Sequence, residues 1–132
     1  MDRLFLDANV LFSDAYHPTA GLLRFWKLPR VILCSSRYAL EEASANLPTE
    51  YQRSRLAELS AVLVLLESEG GALPAGVSLP TKDAPILLAA IAARATYLIA
   101  GDLCHFGPLF GKKIAGLIIP PPAVYLRRTT SR

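Results

Sequence analysis

The sequence predicts an α/β domain whose mostly parallel sheet of four to five strands is covered by helices on both faces. Short apolar runs alternate with helical segments along the chain, which is typical of parallel strands joined by crossover helices. These apolar runs lack period-two alternation, as strands buried on both faces require. With 132 residues and 52% hydrophobic content, the chain can form one well-packed core. We expect a single domain over residues 1–128 and a frayed tail at 129–132.

Two helical segments follow the first predicted strand. The strand is the apolar run Arg3–Leu6, and the apolar residues of Ala8–Tyr16 then fall at helical spacing. A further helical segment begins at Thr19 or Gly21. It ends before Pro29, because the residue that precedes a proline disfavours helical conformation.

The middle of the chain contains a second strand and two more helices. Val31–Cys34 predicts a buried strand, and Ser35-Ser36 then caps a helix that runs to about Leu47. Leucines spaced three and four residues apart predict an amphipathic helix over Glu50–Glu69. Gly70-Gly71 would end that helix, since glycine favours helix C-termini.

The last third of the chain repeats the alternation. A short strand fits residues 75–79, and Asp83 can then cap a helix that has Pro85 in its first turn. The remaining predicted segments are a buried strand at Leu98-Ile99, a short helix or loop over Leu103–Phe110, a strand over Ile114–Ile119 and a terminal helical turn over Ala123–Arg128.

Composition excludes several classes of protein. The longest apolar run, Ile86–Ala100, is interrupted by Arg94 and is shorter than the roughly 20 residues that a membrane-spanning helix needs. The N-terminus enters a strand-like run without the apolar stretch of a secretory signal, so we expect a cytoplasmic protein without membrane contact. Cys34 and Cys104 lack metal-ligand spacing and are expected to be reduced thiols. A net charge of +3 is compatible with a polyanionic partner.

Several carboxylates are expected at the sheet edge where α/β proteins bind their ligands. Asp7 and Asp102 each follow a predicted strand, and Asp83 opens a helix that returns from the same side. In the helix after the second strand only one of Glu41 and Glu42 is expected to face this edge, because adjacent helical residues differ by about 100°. Glu42, which lies among alanines, is favoured, and Glu41 stays the alternative. A helix N-cap would equally explain Asp7 or Asp83, and a turn-forming Gly-Asp pair would explain Asp102.

A cluster of these carboxylates would need a counterion. Carboxylates brought together from distant parts of the chain would repel one another by several kcal/mol. Divalent cations relieve this repulsion, and Mg²⁺ and Mn²⁺ prefer carboxylate and water oxygens. The sequence therefore predicts a Mg²⁺ or Mn²⁺ site formed by Asp7, Glu42, Asp83 and Asp102.

Four short motifs stand in the order, spacing and strand–helix context of a known family. They are Leu6–Leu11 (LDANVL), Leu40–Leu47 (LEEASANL), Lys82–Leu87 (KDAPIL) and Gly101–Phe106 (GDLCHF). Together they make the chain resemble a PIN domain from end to end. The resemblance implies a three-layer α/β/α sandwich and a metal-dependent ribonuclease that acts on single-stranded RNA. Such proteins are often the toxin of a bacterial or archaeal toxin–antitoxin pair.

The resemblance also assigns roles to individual residues. By position it makes Asp7, Glu42, Asp83 and Asp102 the catalytic, metal-binding carboxylates and Asn9 a supporting polar residue. Bound metal ions would lower the pKa of a water molecule in line with the scissile phosphate and stabilise the leaving oxygen. The implied partners are single-stranded or structured RNA, an antitoxin protein and a second copy of the chain.

Basic side chains outside the carboxylate cluster could contact RNA phosphates by charge. The candidates for substrate binding are His105, Lys112, Lys113, Arg53 and Arg55. For His105, packing at a helix end near Phe106 is the alternative explanation. Most basic residues on a small domain are simply solvated, which is the alternative for the lysines and arginines.

Two functions therefore remain open. The first is a Mg²⁺- or Mn²⁺-dependent endoribonuclease. The second is a catalytically weakened module of the same fold that binds RNA or a partner protein. Ala100 favours the second, because the resembled family commonly has Thr or Ser two residues before its last aspartate. A Rossmann-like nucleotide binder is disfavoured, because Asp7-Ala8-Asn9 stands where a Gly-rich loop would follow the first strand.

Overall fold

A computed structural model describes residues 1–17, 21–67, 71–101 and 103–130 of the chain. Its strands form one six-stranded sheet in the order β3-β2-β1-β4-β6-β5. The strands are β1 (Asp2–Leu6), β2 (Val31–Ser36), β3 (Val64–Leu66), β4 (Tyr97–Ile99), β5 (Lys113–Ile114) and β6 (Leu117–Ile118). The α-helices are α1 (Ala8–Tyr16), α2 (Arg37–Asn46), α3 (Glu50–Ser60), α4 (Ala84–Ala92), α5 (Leu103–Phe106) and α6 (Pro122–Thr130), and the 3-10 helices are Gly21–Lys27 and Gly107–Leu109.

The predicted fold class is confirmed. Strand β1 pairs in parallel with both β2 and β4, with Leu4 opposite Leu33 on one side and Tyr97 on the other. The pairs β2–β3 and β4–β6 are also parallel, and only β5 runs antiparallel to its neighbour within the described sheet. The result is a mostly parallel sheet in a three-layer α/β/α sandwich. The carboxyl ends of five strands therefore face the same edge.

The core is formed by consecutive buried residues in the central strands. Leu4, Phe5 and Leu6 of β1 are all fully buried, so side chains on both faces of the strand are covered. Ile86 and Leu87 of α4 are fully buried as well. Each such side chain contributes roughly 1.5–3 kcal/mol when it leaves water. Burial on both faces explains why β1 lacks alternation of apolar and polar residues.

The segment after α3 differs from the prediction. Helix α3 ends at Ser60, whereas the leucine spacing predicted a helix to Glu69, which lies outside the described residues. Residues 64–66 form β3 instead, paired with residues 34–36 of β2. The leucine pattern could not distinguish these states, because a short apolar run with β-branched valines also satisfies a strand. Backbone hydrogen bonds to the otherwise open side of β2 decide the outcome.

Two further predicted strands take other forms. Residues 75–79 form no strand, because the backbone turns at Gly76, whose φ is +80°, and Val77 N–H donates to the Pro74 carbonyl. The predicted strand 114–119 is a hairpin, β5–β6, that turns at Ala115 and Gly116 with φ values of +50° and +87°. Positive φ at both central residues is typical of tight hairpin turns. Because of the hairpin and β3, the described sheet has six strands, whereas four to five were predicted.

The remaining helical predictions are close to the structure. The helix predicted before Pro29 is the 3-10 helix Gly21–Lys27, and Trp26 Nε1 donates to the Leu59 carbonyl of α3 at 2.9 Å. The segment predicted over 103–110 is split into α5 and a short 3-10 helix. Helix α6 extends to Thr130, two residues beyond the predicted domain end.

Helix α1 carries a carboxyl group that is buried about two turns beyond the sheet edge. Asp14 is fully buried, and its two carboxyl oxygens have no hydrogen-bond partner among the described residues. Burial raises the pKa of Asp14 to about 7, and the charge of Arg55 opposes that rise. The Arg55 guanidinium donates to the Asp14 and Ala15 carbonyls at 3.0 and 3.3 Å. Arg55 therefore satisfies backbone groups at the C-terminus of α1.

Replacing Asp14 should change the pH dependence of stability. The folded protein takes up a proton at Asp14, so its contribution to the free energy of unfolding falls as pH rises from the unfolded pKa near 3.8 to about 7. The full loss is at most about 4 kcal/mol, since each pKa unit is worth about 1.4 kcal/mol. Asp14→Asn should be no more stable than wild type at pH 4 but clearly more stable at pH 8, as measured by urea unfolding. A stability difference that is the same at both pH values would contradict this assignment.

Candidate functional site

Asp7 lies where β1 ends and α1 begins. Its backbone N–H donates to the Ile99 carbonyl at 3.0 Å, which continues the pairing of β1 with β4 up to this residue. The Asp7 carboxylate is only 3% exposed, and its Oδ1 atom accepts from the Ala8 N–H at 2.6 Å. A negative charge is favoured at this position because it meets the N-terminal end of the helix dipole. The structure thus places a buried carboxylate at the predicted edge of the sheet.

Asp83 precedes α4 but does not cap it with its side chain. Its backbone is helical, and its carboxylate makes no capping hydrogen bond, although Asp83 stands at the N-cap position. The side chain is buried, and its Oδ2 atom lies 2.8 Å from Nδ1 of His105 on α5. The capping explanation that fits Asp7 therefore does not account for the position of the Asp83 carboxylate.

The contact with His105 joins two of the sequence motifs in space. His105 is half-buried beside the fully buried Phe106, which agrees with packing at a helix end. Its imidazole is directed at Asp83, a role that the sequence did not indicate because the two residues are far apart along the chain. Asp102, the remaining predicted metal ligand, lies outside the described residues.

Helix α2 brings Glu42 to the same region as Asp83. Glu42 is half-buried and Glu41 is exposed, as the helical spacing predicted for one of the two. Tyr38, one turn before Glu42, donates its hydroxyl hydrogen to the Lys82 carbonyl at 2.7 Å. Burial raises the pKa of the Tyr38 hydroxyl, and the charges of Glu42 and Asp83 raise it further. The Tyr38 hydroxyl is therefore near enough to both carboxylates to be affected by their charges.

Sequence reasoning missed Tyr38. Its spacing of four residues from Glu42 puts both on one face of α2, which is a signal that the sequence contains. The hydrogen bond from Tyr38 to the Lys82 carbonyl could not be predicted from the sequence, because it joins residues 44 positions apart.

Asn9 and Ala100 lie beside these carboxylates. Asn9 is exposed in the first turn of α1, and it lines a recess together with Glu42. A Cβ atom placed on Gly101 would lie 3.9 Å from the Asn9 Cβ, so the end of β4 passes close to α1. Ala100 is fully buried. It presents no hydroxyl group at the position where the resembled family commonly has one.

The described residues alone do not complete a metal site. Among residues 1–17, 21–67, 71–101 and 103–130, no group of three or more His, Cys, Asp or Glu side chains is arranged to hold a metal ion. Asp7 follows β1, Glu42 lies in α2 and Asp83 precedes α4, while the predicted fourth ligand falls at position 102. The metal-ligand set therefore stays a prediction.

The predicted RNA-contacting side chains occupy different environments. Arg53 donates to the Leu47 carbonyl at 2.9 Å, and Arg55 donates to the end of α1, so both are engaged within the protein. Lys112 and Lys113 are exposed where β5 begins. Strand β5 lies two positions from β4 in the sheet, so these lysines are the basic candidates that remain on an open surface near the site.

Cys34 is a buried thiol within β2. Its thiol lies 3.5 Å from the Leu4 carbonyl, and burial raises its pKa to about 11. A thiol with so high a pKa is a poor nucleophile near neutral pH. The side chain of Cys104 lies outside the described residues.

Comparison with known proteins supports the architecture. The chain matches no family model and no curated protein sequence. Its structure is similar to a chain in the crystal structure of VapBC2 from Rickettsia felis bound to a DNA fragment from their promoter. The TM-score is 0.69 and the identity is 18%, over 90% of this chain and 98% of that chain. This likeness shows the fold. At such low identity it assigns neither activity nor site residues to this chain.

No described helix is long and apolar enough to cross a membrane.

Tyr38→Phe should lower the stability of the protein. The substitution removes the bond from the Tyr38 hydroxyl to the Lys82 carbonyl, and a single hydrogen bond contributes about 1 kcal/mol to folding. Tyr51, which is 68% exposed on α3, provides the matched control. We expect the free energy of unfolding, measured in urea, to fall by about 1 kcal/mol for Tyr38→Phe and to stay unchanged for Tyr51→Phe. Equal values for both variants would mean that the tie to Lys82 does not stabilise the fold.

Proposed function

We propose that this protein is a PIN-domain endoribonuclease that uses Mg²⁺ or Mn²⁺ to cleave single-stranded RNA. The observation that carries the proposal is the position of Asp83. This carboxylate is buried at the N-terminus of a helix that it does not cap. That helix leads into β4, which is parallel to β1, so it begins at the sheet edge that Asp7 occupies. Burying an ionised carboxylate costs free energy that a purely structural role would have to offset. The contact with His105 at 2.8 Å contributes to that compensation, and a bound cation would add to it.

The donor set fits a hard divalent cation. Asp7, Glu42, Asp83 and Asp102 would supply carboxylate oxygens only, and Mg²⁺ and Mn²⁺ prefer such ligands over nitrogen or sulfur. When bound, such an ion would lower the pKa of a water molecule and stabilise negative charge on a phosphate.

The surrounding residues hold the carboxylates in place. The Ala8 N–H fixes one oxygen of Asp7, and the imidazole of His105 lies against Oδ2 of Asp83. Tyr38 holds the turn before Asp83 through the Lys82 carbonyl. Contacts of this kind orient ligands and are commonly needed for full metal affinity. The exposed Lys112 and Lys113 would contribute positive charge for the RNA backbone.

A second candidate function is a module that binds RNA or a partner protein without cleaving. The observation in its favour is Ala100, which is buried at the end of β4 and has no hydroxyl group to orient the carboxylates. The two candidates share the same surface, so they differ in cleavage and not in binding.

We also propose a role related to a toxin–antitoxin system, with an antitoxin protein as partner, in the cytoplasm. Support comes from the similarity of the fold to a chain of the VapBC2 structure. A homodimer is a further proposal that follows from the resemblance to PIN domains.

RNA cleavage should depend on Glu42 but not on its neighbour. We expect wild type to cleave a labelled single-stranded RNA with Mn²⁺ and to stop when EDTA removes the metal. Glu42→Gln, Asp7→Asn and Asp83→Asn should each lower the rate by about 100-fold or more, because loss even of a supporting contact costs up to about 100-fold. Glu41→Gln is the matched control, since Glu41 is exposed one residue away, and it should cleave at the wild-type rate.

Three results would separate the candidate functions. Cleavage that survives EDTA, or equal rates for Glu42→Gln and Glu41→Gln, would contradict the proposed metal site. Binding of RNA without cleavage by any variant would favour the non-catalytic module.

Expression in a bacterial host should test the proposed toxin role. We expect induction of wild type to slow growth and induction of Asp83→Asn to leave growth near that of the empty vector, because the variant lacks a proposed metal ligand. Growth curves with matched protein levels on immunoblots are the measurement. Equal inhibition by both proteins would rule out RNA cleavage as the cause of the toxicity.

A further inference from the structure

A recess between α1 and α2 adjoins the carboxylate edge. Its volume is about 310 Å³, and it is lined by Ala8, Asn9, Phe12, Glu42, Ala43 and Asn46. It begins one residue after Asp7, and Glu42 belongs both to its wall and to the proposed metal site. A group held in this recess would therefore be a direct neighbour of a phosphate at the sheet edge.

The lining combines an aromatic ring with hydrogen-bonding side chains. Phe12 is half-buried, and the buried Ala8 and Ala43 offer small apolar surfaces beside it. Asn9 and Asn46 are exposed amides, and an amide can both donate and accept. Asn46 Nδ2 donates to the Glu42 carbonyl at 2.9 Å, which holds that amide at the end of α2. An aromatic face with amides beside it is the usual environment for an unpaired RNA base.

Aromatic side chains continue from the recess along α1. The rings of Phe12 and Tyr16 are stacked, with centroids 5.3 Å apart and planes at 27°. The ring centroids of Tyr16 and His17 are 4.6 Å apart, with the planes at 72° to each other. Tyr16 is 37% exposed, although an aromatic ring of this size is usually better buried. Arg55 and Gln52 of α3 donate to backbone carbonyls at the end of α1, which makes this a supported surface.

We propose that this recess and the series Phe12–Tyr16–His17 bind the bases of single-stranded RNA next to the cleaved phosphate. The inference rests on the proposed ribonuclease function and adds the part of the substrate that the site recognises. Bases stack on aromatic rings irrespective of sequence, so this surface would hold the strand by its bases while the carboxylate edge meets its backbone. The recess is small and polar at its rim, whereas a partner helix needs a long apolar groove. Exposed aliphatic side chains of the described chain, Val62, Val64 and Leu65, lie elsewhere, in and beside β3.

RNA with and without bases provides the test. All variants are made in an Asp83→Asn background to suppress cleavage, and affinity is measured by fluorescence anisotropy in Mg²⁺. The probes are a short labelled oligoadenylate and an abasic ribose-phosphate strand of equal length. We expect Phe12→Leu and Tyr16→Leu each to weaken oligoadenylate binding by about 5- to 100-fold, which corresponds to the loss of one stacked base. Both should bind the abasic strand as the parent does.

A matched variant and a check of folding by circular dichroism keep the result interpretable. Phe110→Leu removes another half-buried phenylalanine, in the segment before β5, and should leave both affinities unchanged. Tyr16 is exposed, so Tyr16→Leu gives an answer even when Phe12→Leu unfolds, which circular dichroism would reveal. Parental affinity for oligoadenylate in Tyr16→Leu, or equal weakening for both probes, would overturn the proposal and leave this face to a protein partner.

The outcome for the base-binding surface is separable from that for the ribonuclease. If wild type cleaves RNA but RNA binding does not depend on Phe12 or Tyr16, the ribonuclease proposal is retained and the base-binding surface is rejected. Aromatic-dependent binding by a protein that never cleaves RNA would do the reverse.

Discussion

The arrangement of the site depends on the parallel pairing of β1 with both of its neighbours. Because β1 lies between β2 and β4, the residue that follows it is held from two directions. Asp7 N–H bonds to Ile99 on one side, and Ser35 Oγ donates to the Leu6 carbonyl at 2.8 Å on the other. A one-residue shift of register would exchange the β1 side chains between the two covered faces of the sheet, and it would misplace Asp7 at the same time. The register of β1 therefore determines both the packing of the core and the position of Asp7 in the site.

The described part of the chain contains three buried aspartates whose surroundings differ. Asp7 meets a helix N-terminus, Asp83 meets an imidazole, and Asp14 lies near the Arg55 guanidinium, whose hydrogen bonds go to backbone carbonyls. Burial raises the pKa of Asp14 to about 7. The contrast separates a carboxyl that the fold merely tolerates from two that lie at the edge where α/β proteins bind ligands.

Residues around the carboxylates connect elements that are distant along the chain. Tyr38 links α2 to the turn before α4, and His105 links α5 to the same turn. The turn that contains Asp83 is thus held by contacts from α2 and from α5. Helices α1 and α2 form the recess, which Glu42 lines. The proposed cleavage of RNA and the proposed binding of its bases would then use adjoining parts of one surface, built on helices rather than on loops.

The sequence by itself determined the α/β class, most of the helices and the strand-end position of Asp7, because strand-to-helix switches and breaking prolines are local signals. It also favoured Glu42 over its neighbour Glu41 as the site residue, and in the structure Glu42 is half-buried while Glu41 is exposed. Only the tertiary structure decided that residues 64–66 join the sheet and that residues 113–118 form a hairpin, since both depend on which backbone edges are open. The same holds for the Asp83–His105 contact, because a side chain's partner across 22 residues is a property of the packed fold and not of local spacing.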